Sequence, residues 1–334
     1  MKKLINDPTA VVGDALDGMA AVHPSLSVHR NPDYVTRDDA RNTGKVALIS
    51  GGGSGHEPLH CGFVGKGMLD AAVPGAIFAS PSANQIHEAA KHVATDAGVL
   101  FIVKNYTGDR LNFQMAADLL RSSGIDTEVV IVDDDVAVED STHTAGRRGT
   151  GATVVVEKIA GAAAEAGLPL AEVADIARRV NDNSASIGIA LTSSIVPHIG
   201  QPNFDIGPDE IEFGVGIHGE PGRRRAALRP AAELFTDMAN AINSELELQT
   251  GDEVIAIVNG LGGTPLIELY VMANELAKFT EQHGITLSRA LVGSYVTALE
   301  MTGCTITLTR VTSDLLDYWD ATVDTPVLNW TPTS

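Results

Sequence analysis

The segment Val46-Ala47-Leu48-Ile49-Ser50 runs directly into Gly51-Gly52-Gly53-Ser54-Gly55-His56-Glu57-Pro58. A short apolar run of this kind reads as a buried strand. Four glycines in the next five positions let the backbone pass close to a ligand and present N–H groups to phosphates, sugar hydroxyls or an oxyanion. A tight strand-to-helix turn is the plainer reading of the same residues. Outward from this segment the pattern repeats. Strands are expected at 46–50, 99–104, 128–132, 187–191, 212–217, 254–259, 289–294 and 305–309, with helices at 111–122, 154–165 and 266–279. Short runs rich in Val and Ile, alternating with helix-patterned stretches, are the mark of crossover-connected strands in an α/β chain. The expected architecture is two α/β domains with mostly buried central sheets flanked by helices. Their boundaries fall at 1–185 and 186–334, with the junction near 181–186 and irregular stretches at 194–208 and 219–230.

Composition narrows the function classes. The 334 residues hold 23 Lys and Arg against 43 Asp and Glu, a net charge of −20. Such a field repels phosphate backbones and anionic lipid surfaces, so neither nucleic acid nor a membrane is expected as a partner. The two cysteines, Cys61 and Cys304, form no CxxC pair and suggest neither a disulfide framework nor a zinc ribbon. No apolar run reaches the roughly 18 residues of a membrane helix, and the N-terminus turns polar at Asn6-Asp7-Pro8, too early for a signal peptide. A cytoplasmic chain is expected.

The glycine-rich stretch matches neither G-x-x-x-x-G-K-[ST] nor G-x-G-x-x-G, and His56 stands where G-x-S-x-G requires a glycine. His56-Glu57-Pro58-Leu59-His60 spells H-E-x-x-H. Pro58 disfavours helical geometry at Glu57, however, so the two rings are not expected on one helical face, and no metal is expected in this chain. Lys104-Asn105-Tyr106-Thr107-Gly108-Asp109-Arg110 lies between a strand and a helix, where open α/β sheets put their ligands. Asp109 fits either a helix cap or a carboxylate base, and Lys104 either a carboxylate partner or a contact to substrate oxygen. His218, in Gly214-Val215-Gly216-Ile217-His218-Gly219-Glu220-Pro221-Gly222, ends a strand among glycines and fits a structural, nucleophilic or acid/base role. Asp133-Asp134-Asp135 reads as a solvated loop rather than a metal cluster. Arg147-Arg148 suits an anion, a partner or surface solubility.

At full length the chain resembles the dihydroxyacetone kinases, in particular the substrate-binding subunit of the phosphoenolpyruvate-dependent form. The resemblance rests on MKKLIND, NPDYVTR, GKVALISGGGSGHEPLHCGFVGKGML, KNYTGD, DDDVAVEDS with TAGRRG, EFGVGIHGEPG, GGTPLIELY and TPVLNW. It implies a homodimer that captures dihydroxyacetone as a hemiaminal on His218. Asp109 then corresponds to the general base, and His56 to a proton acceptor or hydroxyl-orienting group. Gly53, Ser54, Gly55 and Lys104 correspond to substrate contacts. Covalent capture of a carbonyl also rejects glycerol, which has none. The family's nucleotide-binding DGDTG motif is absent from the sequence. The resemblance therefore implies ADP or ATP with magnesium on a nucleotide-binding kinase subunit, a phosphotransferase-system phosphoryl donor subunit, and no cofactor in this chain. The stretch 193–198 and the basic run from Arg223 depart from the family pattern. They leave two alternatives: a kinase subunit for a four-carbon ketose such as erythrulose, and a ketone-sensing coregulator.

Overall fold

The computed structural model describes residues 2–138 and 146–332, so Glu139–Ala145, which holds parts of the DDDVAVEDS and TAGRRG motifs, lies outside the described residues. Two compact units emerge, one of 2–132, 153–179 and 314–332, the other of 133–138, 146–152 and 180–313. The chain passes between units near 132, 152, 179 and 313. One of these crossings lies beside the expected junction at 181–186, but a single division into 1–185 and 186–334 does not describe the units. Short segments at 133–152 and 153–179 leave and rejoin each unit, an arrangement that local periodicity does not report.

The first unit is built on a six-stranded sheet of β1 (Leu26–His29), β2 (Tyr34–Arg37), β3 (Ala47–Ser54), β4 (Ala71–Ile77), β5 (Val99–Lys104) and β6 (Thr127–Val132), in the order β1-β2-β4-β3-β5-β6. The four strands from β4 to β6 are parallel, as crossover connections require, and the β1–β2 edge is antiparallel. Helix α1 is Val11–Val22, α2 Ala83–Val93, α3 Thr107–Ser122, α4 Ala152–Glu165 and α5 Leu170–Asp182. Ile86, Ala90 and Val93 of α2 and Phe113, Ala117 and Leu120 of α3 bury against Ile49, Val73, Phe101 and Val103 of the sheet.

The decisive segment behaves differently from its sequence reading in one respect. Strand β3 does not stop at Ser50 but continues through the glycines to Ser54, with Gly51 opposite Val73 and Gly52 opposite Pro74. A Cβ on Gly51 would stand 2.5 Å from the Val73 carbonyl oxygen, so this glycine permits close strand approach as much as turning. Strand β4 carries Pro74 and Gly75, residue types that mark turns, so composition alone does not suggest it.

In the second unit β7 (Ser184–Ala190), β8 (Glu210–Phe213), β9 (Arg224–Ala227), β10 (Glu253–Gly260), β11 (Thr286–Gly293) and β12 (Gly303–Val311) form a sheet ordered β11-β10-β12-β7-β8-β9. Only β10 and β11 pair in parallel, joined by the crossover helix α7 (Leu266–His283); the other pairings are antiparallel. This mixed sheet corrects the expectation of crossover-connected strands throughout. Helices α6 (Ala231–Leu246) and α7 contribute Leu234, Met238, Ile242, Leu269 and Leu276 to a core with Ile187, Phe213, Val258 and Leu308. The stretch 219–230, expected to be irregular, contains β9, and the strand expected at 212–217 ends at Phe213, leaving Gly214–Ile217 in a loop.

Candidate functional site

In the first unit the sheet delivers three groups to the same spot. Lys104 is the last residue of β5, and α3 begins at Thr107. Asp109 is not the cap of that helix. Tyr106 is the N-cap, and Asp109 sits buried in the first turn, where the helix N-terminus favours a negative charge. A Cβ built on Gly52 would lie 2.6 Å from Lys104 Nζ, 3.6 Å from Asp109 Oδ2 and 3.6 Å from His60 Nε2, so the three side chains converge over a position that only glycine leaves open.

His60 ties this cluster to α4. Its Nε2 is 2.6 Å from Lys104 Nζ, and its Nδ1 is 2.7 Å from Glu157 Oε1. All three are buried. Burial, the Lys104 ammonium and nearby His56 hold the His60 ring well below the usual histidine range. Burial also lowers Lys104, against the pull of Asp109 and Glu157, and pushes Glu157 up to about 8, against Lys104.

The turn from His56 to His60 is not helical, and both His60 ring nitrogens face protein partners, so the H-E-x-x-H spelling does not correspond to a zinc helix. His56 is buried and stacks on Phe78, with ring centroids 5.0 Å apart and planes at 16°. Among the other expected contacts, Gly53 packs against the Phe78–Ala79 backbone, 2.6 Å from a built Cβ to Ala79 N. The Ser54 hydroxyl donates to the Gly75 carbonyl at 2.7 Å. Gly55, at φ +105°, donates its N–H to the Glu57 carboxylate.

His218 belongs to the second unit, on the glycine-flanked loop that follows β8. Its Nδ1 lies 2.8 Å from Glu220 Oε1, and its backbone N–H donates to Glu220 Oε2 at 3.0 Å. The His218 side chain is 20% exposed, that of Glu220 only 5%. Burial works against the charge on Glu220, but the His218 ring and then the Arg148 guanidinium hold its carboxyl down at about 2. A Cβ on Gly216 would collide with the Glu220 carboxylate and come within 2.7 Å of Arg148 Nη1, so this glycine admits both groups. Asn203 Nδ2 donates to the His218 carbonyl at 3.0 Å, fixing the loop from the other side.

Of the alternatives left open for Arg147-Arg148, surface solubility does not hold for Arg148. Arg147 does pair at the surface with Glu245, but Arg148 is fully buried, 2.7 Å from Asp135 and donating to the Gly214 carbonyl. The solvated loop expected for Asp133-Asp134-Asp135 holds for Asp133 alone. Asp134 is buried, accepting from the Thr150 and Ala152 N–H groups and the Ser186 hydroxyl, and burial raises Asp135 to about 6 despite Arg148. Neither reading could anticipate that 146–152 folds back onto the strand containing Ser186.

A Dak1 domain model matches residues 17–327. The chain belongs to the Dak1 family. This Dak1 chain is 49% identical, over 99% of both chains, to the phosphoenolpyruvate-dependent dihydroxyacetone kinase, dihydroxyacetone-binding subunit, of Escherichia coli. The dihydroxyacetone kinase of C. freundii superposes with a TM-score of 0.89 at 37% identity, covering 99% of this chain and 60% of that one. A dihydroxyacetone kinase operon co-activator superposes with a TM-score of 0.88 at 33% identity, covering 94% of this chain and 96% of that one.

Three groups escaped assignment from the sequence. His60 was visible only as half of a misleading zinc pattern. Glu157 stands with Lys158 inside the apolar run Val154-Val155-Val156 and Ile159-Ala160, and a charged pair so placed signals a buried ionic partner. Glu220 lies two residues beyond His218, a spacing that a tight turn converts into contact.

Proposed function

We propose that this Dak1 chain is the dihydroxyacetone-binding subunit of a phosphotransferase-system-dependent dihydroxyacetone kinase, and that it captures the ketone covalently on His218. The observation that carries this reading is the His218–Glu220 pair. A carboxylate at Nδ1 selects the tautomer with its proton there and leaves the lone pair on Nε2. Nε2 then attacks the ketone carbon. The C–N bond forms as the carbonyl π pair moves to oxygen, which takes up a proton. The ring releases its Nδ1 proton, and the product is a neutral hemiaminal. Because Glu220 is ionised far below neutrality, it stabilises the positive charge that the ring develops during attack.

In the first unit Asp109 is the base for the terminal hydroxyl, Lys104 and His56 bind and orient the substrate, and the backbone at Gly53 and Gly55 contributes contacts. The Ser54 hydroxyl donates to the Gly75 carbonyl and keeps its lone pairs to accept from a substrate hydroxyl. Nucleotide and magnesium reside on a partner kinase subunit, recharged by a phosphotransferase-system phosphoryl donor subunit; no step of capture requires them. The working form is a cytoplasmic homodimer. Among the described residues no helix is long and apolar enough to cross a membrane.

A second reading, a ketone-sensing co-activator without turnover, is favoured by the likeness to the operon co-activator. Intact-protein mass spectrometry with dihydroxyacetone and, in parallel, erythrulose tests both. A one-ketose adduct on wild type and none on His218→Ala supports capture, and no adduct with either sugar overturns it. Phosphorylation in the presence of a nucleotide-carrying subunit separates the kinase from the sensor, and turnover confined to erythrulose would replace the substrate.

A further inference from the structure

The polar relay under Gly52 is wholly buried, and the attack of His218 on the ketone gives no part to its His60 and Glu157. Lys104, His60 and Glu157 form a continuous line, 2.6 Å and then 2.7 Å between successive polar atoms, drawn from β5, the 56–60 turn and α4. A lysine and a glutamate so deeply buried, with a histidine between them, are expensive to keep unless each proton has a defined place.

We infer that Glu157 is a positioning residue for phosphoryl transfer: by accepting the hydrogen bond of the His60 Nδ1–H it makes Nε2 an acceptor for Lys104 and holds the ammonium over Gly52 beside Asp109. The alternative proton arrangement contains the same atoms. A proton passed from Lys104 to Nε2, with Nδ1–H passed on to Glu157, leaves a neutral amine, a neutral ring and a carboxylic acid. Burial favours that neutral form, whereas the Asp109 carboxylate favours the ammonium.

The titratable groups around Lys104 are few: His60 from the turn, Asp109 from α3 and Glu157 from α4. His56 lies next to His60, and Cys61 lies near Glu157, its thiol pushed up to about 12 by burial and so uncharged. A charged Lys104 beside Asp109 keeps the base ionised and ready for the hydroxyl proton. Glu157 thus acts through two other side chains without touching the substrate. Its role rests on the proposed phosphorylation reading, but the relay itself can be observed independently of it.

The first test is the nitrogen spectrum of ¹⁵N-histidine-labelled wild type, with His60 assigned by comparison with His60→Gln. A protonated Nδ1 and a bare Nε2 are expected, and a proton on Nε2 overturns the inference whether or not the protein is a kinase. The second test is Glu157→Gln in the full chain, assayed with a nucleotide-carrying subunit. About a tenfold loss in kcat is expected with KM little changed, and the acidic limb of the kcat profile should move to higher pH. The His218 adduct, formed in the other unit, should persist. An unchanged kcat and pH profile overturns the positioning role. If wild type forms the adduct but never turns over, the phosphorylation reading fails while the spectrum still decides the relay.

Discussion

His218 and His60 each meet a carboxylate at Nδ1, at 2.8 Å and 2.7 Å, yet the two pairs are set up for different work. Glu220 is held down at about 2 by the His218 ring and then by the buried Arg148, whereas burial pushes Glu157 up to about 8 against Lys104, reached through His60, and the Ser50 hydroxyl. His218 is one-fifth exposed on a glycine-flanked loop, and His60 is enclosed, with Lys104 on its second nitrogen. The lesson is that a histidine–carboxylate pair is only a component. What stands at Nε2 and what compensates the carboxylate decide whether it supplies a nucleophile or holds another group in place.

The largest effect expected from breaking this contrast is His218→Ala, which should abolish the ketose adduct in the mass spectrum while His60→Gln leaves the adduct intact. Adduct formation on His218→Ala would mean that the nucleophile lies elsewhere. Next, Asp109→Asn should retain the adduct but lower turnover by roughly 10²–10⁴-fold, the usual contribution of a general base; full turnover would remove Asp109 from that role.

A smaller change, about tenfold in adduct rate, is expected for Glu220→Gln, which keeps the hydrogen bond but not the charge. Because Glu220 is held down at about 2, it stays ionised through the neutral and mildly acidic range, and the wild-type advantage over the variant should be present throughout it. An advantage that collapses near pH 5 would show that Glu220 is not held ionised. The same depressed value has a stability consequence with a definite sign. A carboxyl at 4.5 in the unfolded chain and about 2 in the folded one stabilises the fold above pH 4.5, and loses that contribution as pH falls toward 2. Acid titration of wild type against Glu220→Gln should therefore converge over that window.

Much of this was legible from the chain alone. The buried runs at 99–104, 254–259 and 305–309 are strands because β-branched and other apolar residues suit a sheet covered on both faces; the first keeps its expected bounds and the other two are longer by a few residues. Lys104 and Asp109 were recognisable as a strand end and a helix beginning. The glycines around His218 announced an approachable ring. Local composition reports these features because they follow from the backbone and its immediate neighbours.

The rest required distant segments to meet. Sequence spacing says nothing of Glu157 reaching His60 across 97 positions, or of Arg148 leaving a glycine-flanked pair to become fully buried between Asp135 and Glu220. Nor does it say that Asp134 and Asp135 bury while Asp133 stays in water. The sequence by itself determined the α/β class, the strand ends that carry polar groups and the two histidine loops, since these depend on periodicity and on where glycine frees the backbone. Only the tertiary structure decided which carboxylate serves which histidine and which charges are buried, because both depend on the electrostatic company that folding assembles from far along the chain.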